Sequence, residues 1–278
     1  MQRNRVDLHI HSTASDGVLK PSEVVHLALK RGLSVIALTD HDTLSGIAEA
    51  QTAAAATGLE VIPGVEISSE GGWGDLHFLG LYVDPENSFL SERLQAMREA
   101  RLRRARQMVK NLARLGMSLD WGEVRTLARG QSVGRPHIAR ALLKRGYVSS
   151  TKEAFDRYIN RDGPAYVPRL RLMPAEVIEA IHQAGGVAVL AHPAYSGALD
   201  LIETFVSCGL QGLEVYYPEH SPQDRQALLD LCRRYGLLAT GGSDFHAPRC
   251  EEGAPLGSVY VPMECVRRLR EAAGRDQT

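Results

Sequence analysis

Short β-branched runs alternate with segments of helical period at both ends of this chain, the pattern of a parallel α/β sheet or barrel. Seven runs read as strands: residues 6–11, 34–39, 60–67, 76–83, 187–191, 212–216 and 237–241. Residues 21–31, 175–184, 199–208 and 222–235 read as crossover helices. Seven strands favour closure into a barrel. Between Val83 and Leu172 the alternation stops and the sequence turns helical and rich in arginine, from SERLQAMREARLRRARQMVKNLARLG through GRPHIAR to KEAFDRYI. Turn and breaker residues mark the ends of that stretch, at Asp84-Pro85 and Gly163-Pro164. The expected organisation is an α/β barrel over residues 1–84 and 165–278, with an inserted helical cap over 85–164.

A length of 278 residues suits a barrel carrying such a module. The formal net charge is -1, so no whole-chain field directs the protein to nucleic acid, and any anion-binding surface must be local. Cys208, Cys232, Cys250 and Cys265 form no C-x-x-C pair and read as reduced thiols. The segment MQRNRVDLHIHS has no apolar signal region, and no run approaches eighteen apolar residues. A cytoplasmic protein with neither membrane association nor an obligate protein partner is expected.

In parallel α/β folds, functional side chains collect where strands end, because the backbone there leaves the ladder. Strand one ends in His9-Ile10-His11, and period-two alternation puts both imidazoles on one face, where they can share a metal. Asp16 follows in the next loop. Later strands end in or carry His41 within TDHD, Glu66 within PGVE, His77, and His192 within LAHP. The last ends in GSDFH, where Asp244 and His246 again share a face. Six of the ten histidines fall at these positions. A single strand-end histidine is commonly a packing residue, but two paired motifs plus five further donors call for metal. Imidazoles and carboxylates without thiolates suit Mn, Fe or Zn, and nine donors exceed what one ion needs. Two to three divalent ions are expected, manganese first among them, arranged to activate water and clamp a phosphoryl group.

The motifs DLHIHSTASDG, TDHD, PGVEIS, LAHP and GSDFH resemble the signatures of the polymerase and histidinol phosphatase (PHP) superfamily. That resemblance implies a distorted seven-stranded barrel with a trinuclear metal site. The arginine-rich helices and GRPHIAR resemble the branch of 3',5'-nucleoside bisphosphate phosphatases and 5'-to-3' exoribonucleases acting on short RNA. Carried over, the resemblance makes His9, His11, Glu66 and Asp244 ligands of one ion. Glu66 would bridge to a second ion held by His77 and His192, and Asp16, His41 and His246 would hold the third. Some PHP proteins have histidine where this chain has Asp16; the carboxylate keeps a ligand and adds a negative charge.

Other residues divide between functional and ordinary uses. Asp40 is a candidate to orient a ligand imidazole or a water, though it and Asp42 could cap the following helix. Arg101 and Arg104 lie one helical turn apart and can converge on a substrate phosphate; a solvated basic face is the plainer reading. Arg135 and His137 sit at a helix start, where free backbone N–H groups favour anions. His220, in YYPEHSPQ, is placed to touch substrate or protonate a leaving group. His26 and His182 read as structural. Gly241-Gly242 would let the backbone pass close behind the metals.

The expected reaction is metal-dependent phosphoester hydrolysis. The implied substrate is a nucleoside 3',5'-bisphosphate losing its 3'-phosphate to give a 5'-nucleotide, with short 5'-phosphorylated RNA as a further substrate. Histidinol-phosphate or general phosphomonoester hydrolysis is the enzymatic alternative. A metal-dependent nucleic-acid-binding module is the non-enzymatic one, and it would bind tightly without turnover.

Overall fold

The computed structural model describes residues 5–71, 74–128, 133–168, 172–248 and 254–275. The chain divides into two compact units, Met1–Leu94 with Arg171–Thr278, and Gln95–Leu170.

The first unit contains a seven-stranded sheet in sequential order: β1 (Arg5–Asp7), β2 (Leu33–Leu38), β3 (Glu60–Gly71), β4 (Gly74–Leu81), β5 (Val187–Leu190), β6 (Gly212–Tyr216) and β7 (Leu238–Gly241). β1 to β3 and β5 to β7 pair in parallel, whereas β4 is antiparallel to both β3 and β5. The wholly parallel pattern expected from the sequence therefore breaks at one strand. Hydrophobic alternation carries no direction, and the sequence separating β3 from β4 is too short for the crossover that a parallel pair needs.

The strand-one ladder stops at Asp7, yet the chain stays extended to His11. Beyond the ladder, Thr39 holds Ile10 on one side through its backbone N–H and its hydroxyl. On the other side Leu8 N–H donates to Gly241 O at 3.1 Å, His11 N–H donates to Phe245 O at 2.8 Å, and Ile10 bridges to Phe245. Segments beyond β1 and β7 are thus joined, and the sheet closes as a distorted barrel.

Helices α1 (Pro21–Lys30), α7 (Pro174–Gln183) and α9 (Pro222–Tyr235) start alike. Each has proline at its first position and an acidic residue two further on, whose carboxylate accepts from the backbone N–H before the proline: Glu23 from Lys20, Glu176 from Met173 and Asp224 from Ser221. α1 and α2 (Ile47–Ala54) bury Val24, Val25, Ala28, Ile47 and Ala50 against Ile36 and Leu38 of β2. The opposite face of β2, Val35 and Ala37, joins Val6, Ile62, Leu79, Val187 and Val189 in a second cluster. Val266 and Leu269 of α10 (Met263–Ala272) pack on that cluster. α8 (Ile202–Ser207) lies within the predicted 199–208 stretch, preceded by a 3-10 turn at Leu199–Leu201.

The second unit is helical and has its own core. The boundary falls within α3 (Ser88–Arg114); α4 (Trp121–Ala128), α5 (Arg135–Lys144) and α6 (Thr151–Ala154) follow, the last running into a π turn at Phe155–Ile159. Met108, Leu112, Val124, Ile138, Leu142 and Ile159 form its buried centre. Of the cysteines, Cys208, Cys232 and Cys265 are free thiols; Cys250 lies outside the described residues. Burial pushes the Cys232 thiol up to about 11 and that of Cys265 to about 12, which keeps both protonated and unreactive.

Candidate metal centre

Nearly every predicted metal ligand of the first unit lies in one cluster, centred on Glu66 of β3. Glu66 is 1% exposed, and its two carboxylate oxygens face different imidazoles. Oε2 lies 3.3 Å from His9 Nε2, 3.2 Å from His11 Nε2 and 3.0 Å from His41 Nδ1. Oε1 lies 2.8 Å from His77 Nδ1 and 3.4 Å from His192 Nε2. Asp244 completes the first set, with Oδ1 at 3.4 Å from His9 Nε2 and 3.1 Å from His11 Nε2.

These spacings match donors around an ion. Metal–ligand bonds of about 2.0–2.2 Å at tetrahedral or octahedral angles put neighbouring donor atoms about 2.8–3.6 Å apart. His9 Nε2, His11 Nε2, Glu66 Oε2 and Asp244 Oδ1 are also buried without a hydrogen-bond partner among the described residues. Four polar atoms aimed at one point and misaligned for bonding each other would be costly unless a cation held them. The donor set fits a divalent metal.

Three groups of donors could each hold an ion: His9, His11, Glu66 and Asp244; His11, Asp16, His41 and His246; and His41, Glu66 and His77. The first reproduces the ligand set implied by resemblance. The second adds His11, which turns Nε2 to one group and Nδ1 to Asp16 at 3.8 Å. It is the looser set, with Asp16 Oδ1 at 3.4 Å from His246 Nε2 and Oδ2 at 3.7 Å from His41 Nε2. The third takes His41, which faces Glu66 Oε2, where the resemblance has His192, whose Nε2 approaches Oε1, the oxygen that also faces His77.

Charge is shared tightly within the cluster. Burial opposes ionisation of Glu66, but His41, His77 and His9 outweigh it and hold its carboxyl well below the usual range. Asp16 is likewise held down by His41, His246 and His11 against its own burial. For His9, burial is overcome by Glu214, Asp244 and Glu66, and its imidazole is raised well above the ordinary value. His11, buried too, is raised to about 10 by Asp244 and Glu66. His41 goes the other way, lowered to about 4, because burial and the neighbouring imidazoles prevail over Glu66 and Asp16. Ligating imidazoles must be neutral, so ion loading at His9 and His11, both raised, would release protons.

Backbone strain concentrates in the same place. Asp42, His192 and Asp244 adopt left-handed φ values of 53°, 33° and 52°. Gly242 is required by a close approach: a Cβ there would lie 2.4 Å from His9 N. Gly241 is equally confined, with Tyr216 O 2.4 Å from the same point.

Several supporting residues escaped the sequence reading. Glu214 of β6 is fully buried; His9 Nδ1 donates to its Oε1 at 3.0 Å, and the His192 N–H donates to its Oε2 at 2.8 Å. That bond fixes the His9 tautomer that leaves Nε2 free for metal. Asp7 accepts from Ser243 N, Ser243 Oγ and Gly257 N, tying the loop before Asp244 to strand one. Tyr217 donates its hydroxyl to Asp244 Oδ2 at 3.1 Å, leaving Oδ1 for the cluster. An acidic residue between Leu213 and Val215, or between Val6 and Leu8, was the available signal.

Asp40, 2% exposed, accepts from Ser12 N, Ser12 Oγ and Ser15 Oγ at 2.8, 2.7 and 2.6 Å. Its hydrogen bonds therefore brace the loop carrying Asp16. Asp42 accepts from Ser68 N at 3.2 Å. His220 is buried; its Nδ1 donates to Val215 O at 3.0 Å, its ring lies 5.1 Å from that of Tyr217, and Nε2 has no hydrogen-bond partner among the described residues. In the helical unit, Arg104 Nε donates to Val167 O at 2.6 Å and its guanidinium lies over Tyr166. Arg101 is half-buried. Arg135 lies over Phe155, and His137 Nδ1 accepts from Gly134 N–H at 3.0 Å at the start of α5. His26 is exposed on α1, and His182 meets Gln211 at 3.0 Å.

Known proteins resemble the chain over most of its length. The PHP domain family model matches residues 7–202. A 3',5'-nucleoside bisphosphate phosphatase of Chromobacterium violaceum is 39% identical over 277 residues, 97% of each chain. A 5'-3' exoribonuclease of Haemophilus influenzae is 38% identical over 249 residues, 88% of this chain and 90% of that one. A solved structure from Bifidobacterium adolescentis, proposed to be a metal-dependent phosphoesterase, superimposes with a TM-score of 0.82 at 33% identity, covering 96% of both.

Proposed function

The chain belongs to the PHP domain family and is a metal-dependent phosphoester hydrolase, and on that footing we propose that it removes the 3'-phosphate of nucleoside 3',5'-bisphosphates. The product is a 5'-nucleotide, and short 5'-phosphorylated RNA is a second substrate. Carrying the reading is Glu66, one buried carboxylate whose oxygens face separate sets of imidazoles, an arrangement suited to a multinuclear centre. His9, His11, Glu66 and Asp244 would hold one ion, Glu66, His77 and His192 a second, and Asp16, His41 and His246 a third. Manganese is the assigned metal, on the mixed imidazole and carboxylate donors. Bound ions supply Lewis acidity that neutralises the phosphoryl oxygens and makes water nucleophilic near neutral pH.

The protein's own groups hold and orient. Glu214 fixes the His9 ring, Tyr217 fixes Asp244, and Asp40 braces the Asp16 loop. Arg101, Arg104, Arg135 and His137 are assigned to the phosphate that is not cleaved, and remote binding of this kind positions the reacting phosphorus. His220 is assigned the relay of a proton, taken up from water at Nε2 and passed on to the leaving oxygen, since Nδ1–H is engaged by Val215 O. A nucleotide substrate and reduced thiols accord with a cytoplasmic location; among the described residues no helix is long and apolar enough to cross a membrane.

The test is product analysis. Manganese-loaded protein and adenosine 3',5'-bisphosphate should give adenosine 5'-phosphate and inorganic phosphate, faster than p-nitrophenyl phosphate is hydrolysed. Release of the 5'-phosphate, or a preference for simple monoesters, would leave only a general phosphatase.

A further inference from the structure

Tyr195 lies in the loop directly after His192. That loop is a closed turn: Ser196 N–H donates to His192 O at 3.0 Å and Ala198 N–H to Pro193 O at 2.9 Å. The Tyr195 ring stands edge-on to the His192 imidazole, at 6.1 Å and 88°, and 6.1 Å from the ring of Tyr217. Tyr217 is itself 5.3 Å from His192 and hydrogen-bonded to Asp244. Two tyrosines thus form a wall against two candidate ligands, yet one is 5% exposed and the other 67%.

The difference in burial separates their roles. Tyr217 is packed and spends its hydroxyl on Asp244. Tyr195 leaves most of an aromatic surface in water beside a phosphate-cleaving centre, held in a hydrogen-bonded turn. Exposed rings of this kind are what nucleobases stack on, because every base offers a π-face and the platform loses little freedom on binding.

We propose that Tyr195, backed by Tyr217, is the platform on which the substrate's nucleobase stacks. The inference rests on the nucleotide reading above and adds to it the recognition of the base. In a nucleoside 3'-phosphate the base is one sugar away from the scissile phosphorus, so a ring adjoining His192 is within reach of it. Stacking tolerates any base, so the protein should accept purines and pyrimidines alike, with larger purines favoured.

The experiment compares manganese-loaded wild type with Tyr195→Ala, Tyr195→Phe and Tyr195→Trp on adenosine 3',5'-bisphosphate and on the base-free ribose 3,5-bisphosphate. Calorimetry of adenosine 5'-phosphate binding supplies a readout separate from turnover. Stacking of one base is worth about five- to a hundredfold. The Ala variant should lose that much in kcat/KM for the nucleoside substrate, weaken nucleotide binding by a similar factor, and match wild type on the base-free sugar. Phe and Trp should stay within about threefold of wild type on both. Unchanged kinetics of the Ala variant, or equal losses on both substrates, would overturn the platform while leaving the nucleotide reading intact. Wild type that cleaves the base-free sugar but not the nucleoside bisphosphate would overturn both.

Discussion

Glu66→Gln keeps the shape of the side chain and removes one charge. In the wild-type protein each carboxylate oxygen serves its own set of donors, Oε2 near His9, His11 and His41, and Oε1 near His77 and His192. An amide can present an acceptor to only one set. Either orientation aims an NH2 group at the other, where a ligand anion is required. The variant should therefore lose at least one ion, and with it several kcal/mol of Lewis-acid stabilisation of the transition state. A fall in kcat of about a hundredfold corresponds to about 2.7 kcal/mol, and a loss at least that large is expected. Elemental analysis of the purified variant, paired with initial rates at saturating substrate, provides the assay. Full metal content with kcat within about threefold of wild type would refute the shared role of Glu66.

Glu214→Gln should weaken metal affinity about ten- to a hundredfold, because the His9 ring loses its anionic partner; titration with a competing chelator measures this, and unchanged affinity would mean the bond is merely structural. Arg101→Ala should lower kcat/KM for the 3',5'-bisphosphate by about ten- to a hundredfold, a charge-assisted bond being worth roughly 1.5–3 kcal/mol, and leave p-nitrophenyl phosphate nearly unaffected. Arg104→Ala should do the same, with some thermal destabilisation because Arg104 also holds Val167 and Tyr166; equal effects on both substrates would move the arginines out of the substrate site. In chelated protein, the folded-state pKa of His11 lies at about 10 and the ordinary value at 6.5, so its ion pairs stabilise fully below pH 6.5 and are lost as pH rises through 10. The melting temperature of chelated protein should fall between pH 6.5 and 10, and a flat profile would contradict the pairing of His11 with Asp244 and Glu66.

Much of the fold was legible because strand-end chemistry and strand patterning coincide. The stretches 212–216 and 222–235 were bounded in the sequence as they stand in β6 and α9, where Gly212 opens the strand and Ser221-Pro222 caps the helix. The candidate donors came together because alternation at His9-x-His11 and Asp244-x-His246 is a local property that survives folding. The reversal of β4 was not legible, since its residues alternate identically in either direction. Strand one also proved shorter as a ladder than its apolar run, because Thr39 and Phe245, distant in sequence, hold the continuation through Ile10. α10 is hard to see in the sequence, because its arginines mask an apolar stripe at Val266 and Leu269. Glu214 and Tyr217 lay in plain view, but their importance depends on partners, His9 and Asp244, supplied only by closure of the barrel.

Ions bound per chain, measured by elemental analysis of the active protein before and after exhaustive chelation, bear most directly on the centre around Glu66. Two to three divalent ions should be present, and their removal should abolish hydrolysis until manganese is restored. One ion or none, with hydrolysis surviving the chelator, would contradict a multinuclear metal centre.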